Sequence, residues 1–251
     1  MSANGSIIVT DPKGELLRDC GYSLKKKGYT IKVLNLDEKS QSNHYNPIVY
    51  VKQLDNFYDI LEYEDNYKIQ EDDVMTLINT LIANTKVEGI DSTTGDPFWI
   101  KAEMIYLQAL FYYTIRHYDK RHQNFTTVLN LIRLSSPNNN GVSELDSLFL
   151  EWEAVEPDSI GVKQYKHFKV AAGTPKMMST IIMTATARLA IFNIKEVHEL
   201  TDDDDMELER IGMPVNDNDP LLKEINNNSK KHIGNGKIAI FIITKPSDRN
   251  I

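Results

Sequence analysis

The residues best placed to do chemistry begin at a short apolar run, Ile7-Ile-Val-Thr, that ends in Asp11. An aspartate at the carboxyl end of a strand can reach a magnesium ion in the crevice of an α/β sheet, as in a Walker B strand. The acid expected next is replaced by Pro12, and Asp11-Pro12-Lys13-Gly14 also fits ordinary turn chemistry. A phosphate-cradling G-x-x-x-x-G-K-[ST] loop would decide between the two readings, and none occurs. Gly234-Asn-Gly236-Lys237 is the nearest string, but its spacing is wrong and it leads into a strand pattern.

A second group is basic. Lys163, Lys166 and Lys169 fall on one helical stripe beside Tyr165 and Phe168, which suits an acidic partner or a phosphate backbone. The same stripe is also what the wet face of an amphipathic helix looks like. The six histidines show no ligand spacing; His117 and His122, five apart, do not share a helical face. Asp202 to Asp205 could attract a cation or form a solvated acidic turn. There is no G-x-S-x-G nucleophile elbow, and Trp99 and Trp152 read as core.

These groups need elements to hold them. Ser6–Thr10 reads as a buried strand, Glu15–Lys27 as a helix and Thr30–Leu36 as a second strand, which together make a βαβ unit. From about residue 51 the apolar period becomes helical, as in Val74, Leu77, Ile78, Leu81 and Ile82. Asp96-Pro97 and Thr174-Pro175 each pair an N-cap with proline at the first helical position. The helix opened by Pro97 is apolar on most faces and is expected to be central. Ser143-x-x-Asp146 resembles a capping box. Residues 214–236 are polar and Asn-rich and read as a long loop. Lys237–Thr244 is a strongly apolar strand that must pair with something, most economically the sheet begun by Ile7 and Ile31.

Composition sets limits. The 251 residues are 41% hydrophobic and 25% charged, enough for a sizeable core. The single cysteine, Cys20, excludes a disulfide framework and a cysteine zinc cage, and fits a reducing, cytoplasmic setting. No run approaches the roughly 20 apolar residues of a spanning helix, and the opening residues lack the regions of a signal peptide. The net charge of −8 is unevenly placed: +2 over residues 1–50, −12 over 51–210 and +2 over 211–251. A chain acidic overall is a poor first choice for direct phosphate contact.

Six segments in order carry a more specific likeness. They are Ile7-Ile-Val-Thr-Asp-Pro-Lys-Gly-Glu15, Gly28-Tyr-x-Ile-Lys-Val-x-Asn-Leu36, Tyr45-Asn-Pro47, Asp96-Pro-Phe-Trp99, Val162-Lys-Gln-Tyr-Lys-x-Phe-Lys-x-Ala-Ala-Gly173 and Arg188-Leu-Ala-x-Phe-Asn193. In that order the chain resembles the TraG/TraD family of type IV secretion coupling proteins over about residues 6–212 and again over 237–244. The DPKGE element occurs more loosely in FtsK-type DNA translocases.

The resemblance implies a hexameric, membrane-anchored ATPase that receives a relaxase–DNA substrate at the base of a secretion channel. Its fold would be mostly α: an all-α helical domain inserted between strands of a RecA-like α/β nucleotide-binding domain. On that basis residues 1–50 form part of the nucleotide-binding domain and 51–212 the inserted all-α domain. Residues 213–236 are a polar loop, and 237–251 contain the return strand. Asp11, Lys13 and Glu15 match the DPKGE motif and would lie near the nucleotide crevice.

The family's Walker A and Walker B elements fall outside the stretch that matches. The chain is therefore expected to be a non-hydrolysing fragment without its own cofactor, monomeric or prone to pair through sheet edges. ATP and magnesium belong to the parent protein, which would be anchored at the cytoplasmic side of the membrane. The expected role is substrate recognition by the acidic helical domain, with a relaxase or relaxosome accessory protein as partner. The alternative is a module that touches DNA directly through Lys163, Lys166, Lys169 and Arg188.

Overall fold

A computed structural model describes residues 5–51, 53–54, 68–85, 97–136, 142–211 and 237–244. The Asp96 cap, the 214–236 loop and the tail beyond Thr244 lie outside the described residues. The chain divides into two compact units: 1–45 with 203–251, and 46–202. Both divisions thus fall earlier in the chain than the sequence-based boundaries at 50 and 212. The reason is local. Ile48 is buried in the helical core, whereas Met206 is buried against the sheet.

The first unit is a three-stranded parallel sheet. Its strands are β1 (Ile7–Thr10), β2 (Thr30–Asn35) and β5 (Ile238–Ile243), in the order β1-β5-β2. The C-terminal strand therefore lies between the first two. Ile7 pairs with Ala239 and Val9 with Phe241 on one side; Ile31 pairs with Ala239 and Val33 with Phe241 on the other. β5 is apolar at every position because both of its faces are covered. Ala239 and Phe241 pack with Leu17 and Leu24 of α1 (Glu15–Lys26), while Ile238 and Ile240 pack with Met206, Leu208 and Tyr45.

The acidic run has a structural part here that a solvated turn would not have. The Asp205 carboxylate accepts from His44 N at 2.7 Å and Asn43 Nδ2 at 3.1 Å. The Asp205 backbone carbonyl accepts from Lys32 Nζ. Asn43 in turn bonds β2, accepting from Val33 N at 2.7 Å. Asp205 thereby fixes a segment that runs along β2.

The second unit is helical: α2 (Glu71–Asn84), α3 (Pro97–His117), α4 (Phe125–Arg133), α5 (Glu144–Val155), α6 (Ile160–Ala172), α7 (Pro175–Leu189) and α8 (Lys195–Thr201). A two-residue ladder, β3 (Gln53–Leu54) with β4 (Lys68–Ile69), precedes them. α3 is the central element, with Tyr106, Leu107, Leu110 and Phe111 fully buried, and it packs on α2, α4, α6 and α7. The caps follow the sequence closely. Ser143 Oγ accepts from Asp146 N and Asp146 Oδ2 from Ser143 N, a complete capping box. Thr174 Oγ1 accepts from Met177 N. α4 is capped by Asn124, whose Oδ1 accepts from Thr127 N at 3.0 Å.

Gly161 is required by close approach. A Cβ built there would stand 2.2 Å from Trp152 Cη2, so α5 and α6 can meet only at a glycine. Among the described residues no single helix is long and apolar enough to cross a membrane. Pro175–Asn193 and Lys195–Thr201 reach that length and hydropathy only together, and they are bent by 87°.

Candidate partner-binding site

The DPKGE residues sit at the carboxyl end of β1. Asp11 is buried, and its Oδ2 accepts from Leu17 N at 2.8 Å in the first turn of α1. Gly14 takes the left-handed conformation (φ 66°) that lets the chain turn from strand to helix, and its N–H bonds the Asp11 carbonyl at 3.1 Å. The carboxylate thus caps the helix from three residues before the N-cap position, Gly14, satisfying a donor that has no partner within the helix. Lys13 and Glu15 are exposed. One oxygen of the Asp11 carboxylate serves the cap, and among the described residues no three His, Cys, Asp or Glu side chains group to hold a metal.

The four basic candidates separate. Arg188 is not on the surface. Its side chain and that of Glu103 are both 0% exposed, joined by two parallel bonds, Nε to Oε1 and Nη2 to Oε2, each 2.8 Å. Its Nη1 donates to the carbonyls of Ile82 and Thr85. Direct contact between Arg188 and DNA is therefore corrected to a structural role. The physical reason is helical period: Arg188 shares a face with Ile181, Thr184 and Ala185, all buried. Desolvated guanidinium requires such a partner set.

The three lysines do share a stripe of α6, but each is matched to an acid. Lys163 pairs with Asp158 at 3.1 Å, Lys166 with Glu153 at 2.6 Å and Lys169 with Asp146 at 2.7 Å. The two more exposed pairs, those of Lys163 and Lys166, are each worth less than about 1 kcal/mol. Their consequence for binding is larger, because a neutralised stripe offers a phosphate backbone little net charge.

Asp146 organises the most elaborate of these contacts. Besides capping α5, it accepts from Lys169 Nζ and from Tyr165 Oη at 2.8 Å. Burial opposes its ionisation, but the bonds from Lys169, Ser143 and Tyr165 prevail and hold its carboxyl at about 2. The Tyr165 phenol is pushed up, by burial first and then by the adjacent carboxylate. This network forms one wall of a cleft of about 320 Å³, whose other wall is Phe168, Met178 and Ile182. A second cleft of about 250 Å³ lies where α2 begins, beside Tyr112, Arg116 and Trp152. The sequence signalled the network only through the Ser143-x-x-Asp146 spacing and the four-residue step from Tyr165 to Lys169. Nothing in it joined Glu103 to Arg188 or brought Glu71 to Tyr112.

Motif residues outside the helices also have structural work. Asn46 of Tyr45-Asn-Pro47 is buried, accepts from Ile48 N at 3.1 Å and donates to the Gln123 carbonyl at 2.8 Å. Asp202 accepts from Thr126 Oγ1 at 3.0 Å, so this end of the acidic run also serves an internal bond.

Compared with known proteins, the chain matches the sequence profile of the family described as type IV secretory system conjugative DNA transfer, over residues 1–216. No curated protein matches it. The matched span takes in every one of the six motif segments, from the Asp11 cap to the 188–193 turn. The chain belongs to the type IV secretory system conjugative DNA transfer family, of the TraG/TraD type.

Proposed function

We propose that the helical unit, residues 46–202, recognises a protein component of the conjugation substrate, a relaxase or a relaxosome accessory factor. The single observation that carries this reading is the state of the basic candidates. Arg188 is internal, and Lys163, Lys166 and Lys169 are each neutralised by a carboxylate. The sequence span that includes this unit is strongly acidic, at −12 over residues 51–210. A surface of that sign attracts a basic protein and repels bare DNA.

In this reading the sheet unit belongs to a RecA-like nucleotide-binding domain, with the helical unit as its insertion. ATP and magnesium would act in that setting, in a membrane-anchored hexamer. Asp11, Lys13 and Glu15 would then shape the strand-to-helix turn near the crevice, with Asp11 acting through its cap. The chain itself would supply recognition and no hydrolysis. The test is equilibrium binding of the full chain to purified relaxosome proteins, with ATP binding measured alongside. Affinity for a relaxosome protein without ATP affinity is the expected result. DNA affinity that falls steeply with salt, without affinity for any relaxosome protein, would overturn the reading.

A further inference from the structure

The cleft of about 250 Å³ lies between the start of α2, the last turns of α3, the end of α5 and the start of α6. It is smaller than the roughly 300–1,000 Å³ sites that hold whole small molecules, so it suits a single side chain. Its charges are nearly all satisfied. Arg116 Nε donates to Glu156 at 3.0 Å, Trp152 Nε1 donates to the other oxygen of Glu156 at 2.9 Å, and Lys163 pairs with Asp158 at 3.1 Å.

Two groups are left over. Glu71 has no ion pair among the described residues. Tyr112 is only 2% exposed, and its hydroxyl has no hydrogen-bond partner among the described residues. The hydroxyl is not among the fully buried atoms, so its oxygen opens into the cleft, where a donor can reach it. Glu71 and Asp72 act on this phenol: burial first, then their negative charges, push it up to about 12. It therefore stays a neutral hydroxyl that can accept a bond from a cation.

We propose that this cleft binds one cationic side chain, arginine or lysine, of the partner protein, with Glu71 as counter-charge and the Tyr112 hydroxyl as acceptor. Trp152 and Tyr112 supply aromatic walls, which favour a cation further. An anion is disfavoured, because both cations of the cleft already hold carboxylates and the unmatched charge is negative. The inference rests on the recognition reading above and gives it a location.

Glu71 also lies in the first turn of α2, where an acid stabilises the helix dipole. That role alone would make Glu71→Gln less stable without altering binding. The experiment is an NMR titration of the full chain with the blocked peptides acetyl-Gly-Arg-Gly-amide and acetyl-Gly-Lys-Gly-amide, and with the citrulline version of the first. The readout is the Trp152 indole N–H. The expected result is a saturable shift with arginine or lysine, none with citrulline, and affinity about tenfold weaker in Glu71→Gln and in Tyr112→Phe. Tyr112→Phe should keep its melting temperature, since it loses only an unbonded hydroxyl. Glu151→Gln, outside the cleft, should bind as the parent does.

No shift with either cationic peptide, or equal affinity in all variants, would overturn the proposal. A relaxosome protein that binds the parent and both cleft variants alike would overturn the cleft and leave the recognition reading standing. An arginine-dependent indole shift with no relaxosome protein bound would do the reverse.

Discussion

Arg188 and Lys166 carry the same charge and sit on neighbouring helices, yet one is 0% exposed and the other 52%. Arg188 ties α7 to α3 through Glu103 and to the end of α2 through the Ile82 and Thr85 carbonyls. Lys166 reaches across to Glu153 in full view of solvent. The difference is one of what each contact must repay. A guanidinium that gives up water needs all its donors matched, whereas an exposed ammonium loses little either way. A basic residue in a helix is therefore a binding candidate only once its burial is known.

Breaking the buried pair should show the largest effect. Arg188→Ala or Glu103→Ala each leaves a buried charge alone and should cost about 3–5 kcal/mol. Replacing both with apolar residues of similar volume should restore most of that loss. Chemical denaturation measures both changes. Next comes Gly161→Ala, whose Cβ would stand 2.2 Å from Trp152; overpacking of this kind should cost about 1–3 kcal/mol in the same assay.

The two capping aspartates sharpen the comparison further. Asp11→Ala should lose about 0.5–2 kcal/mol, while Asp11→Asn should keep most of the cap. Asp146 adds a pH signature. Its carboxyl at about 2 lies below the ordinary 3.8, so its contribution is complete above the ordinary value and is lost as pH falls through 2. In acid denaturation Asp146→Asn should flatten the stability slope between those two values. Smallest of all, Lys166→Ala should change stability by less than about 1 kcal/mol, and less again at high salt.

Much of the fold was legible in the sequence because its signals are local. The strand patterns at 7–10 and 30–35, the capping box at Ser143 and the Thr174-Pro175 start all depend on neighbours within a few residues. The pairing of the last strand with the first two followed from its apolar faces. Its position between them did not, because strand order depends on contacts more than 200 residues apart in sequence. The functional side was harder for the same reason. Spacing along α6 showed that the lysines share a stripe, but their acids come from α5 and the loop that follows it. Arg188 looked like a surface cation because its partner Glu103 is 85 residues away. Asp11 could be read as a metal ligand or as a turn residue, because the helix donor that one of its oxygens caps becomes visible only once the turn is built.

The most direct test of partner recognition is a competition. Fluorescently labelled relaxase or accessory protein is bound to the full chain, and unlabelled single-stranded and duplex DNA are titrated in at two salt concentrations. Displacement by neither DNA at either salt, with the protein complex intact, is the predicted result. Complete displacement by DNA at low salt, relieved at high salt, would contradict it and make the lysine face of α6 a nucleic-acid surface.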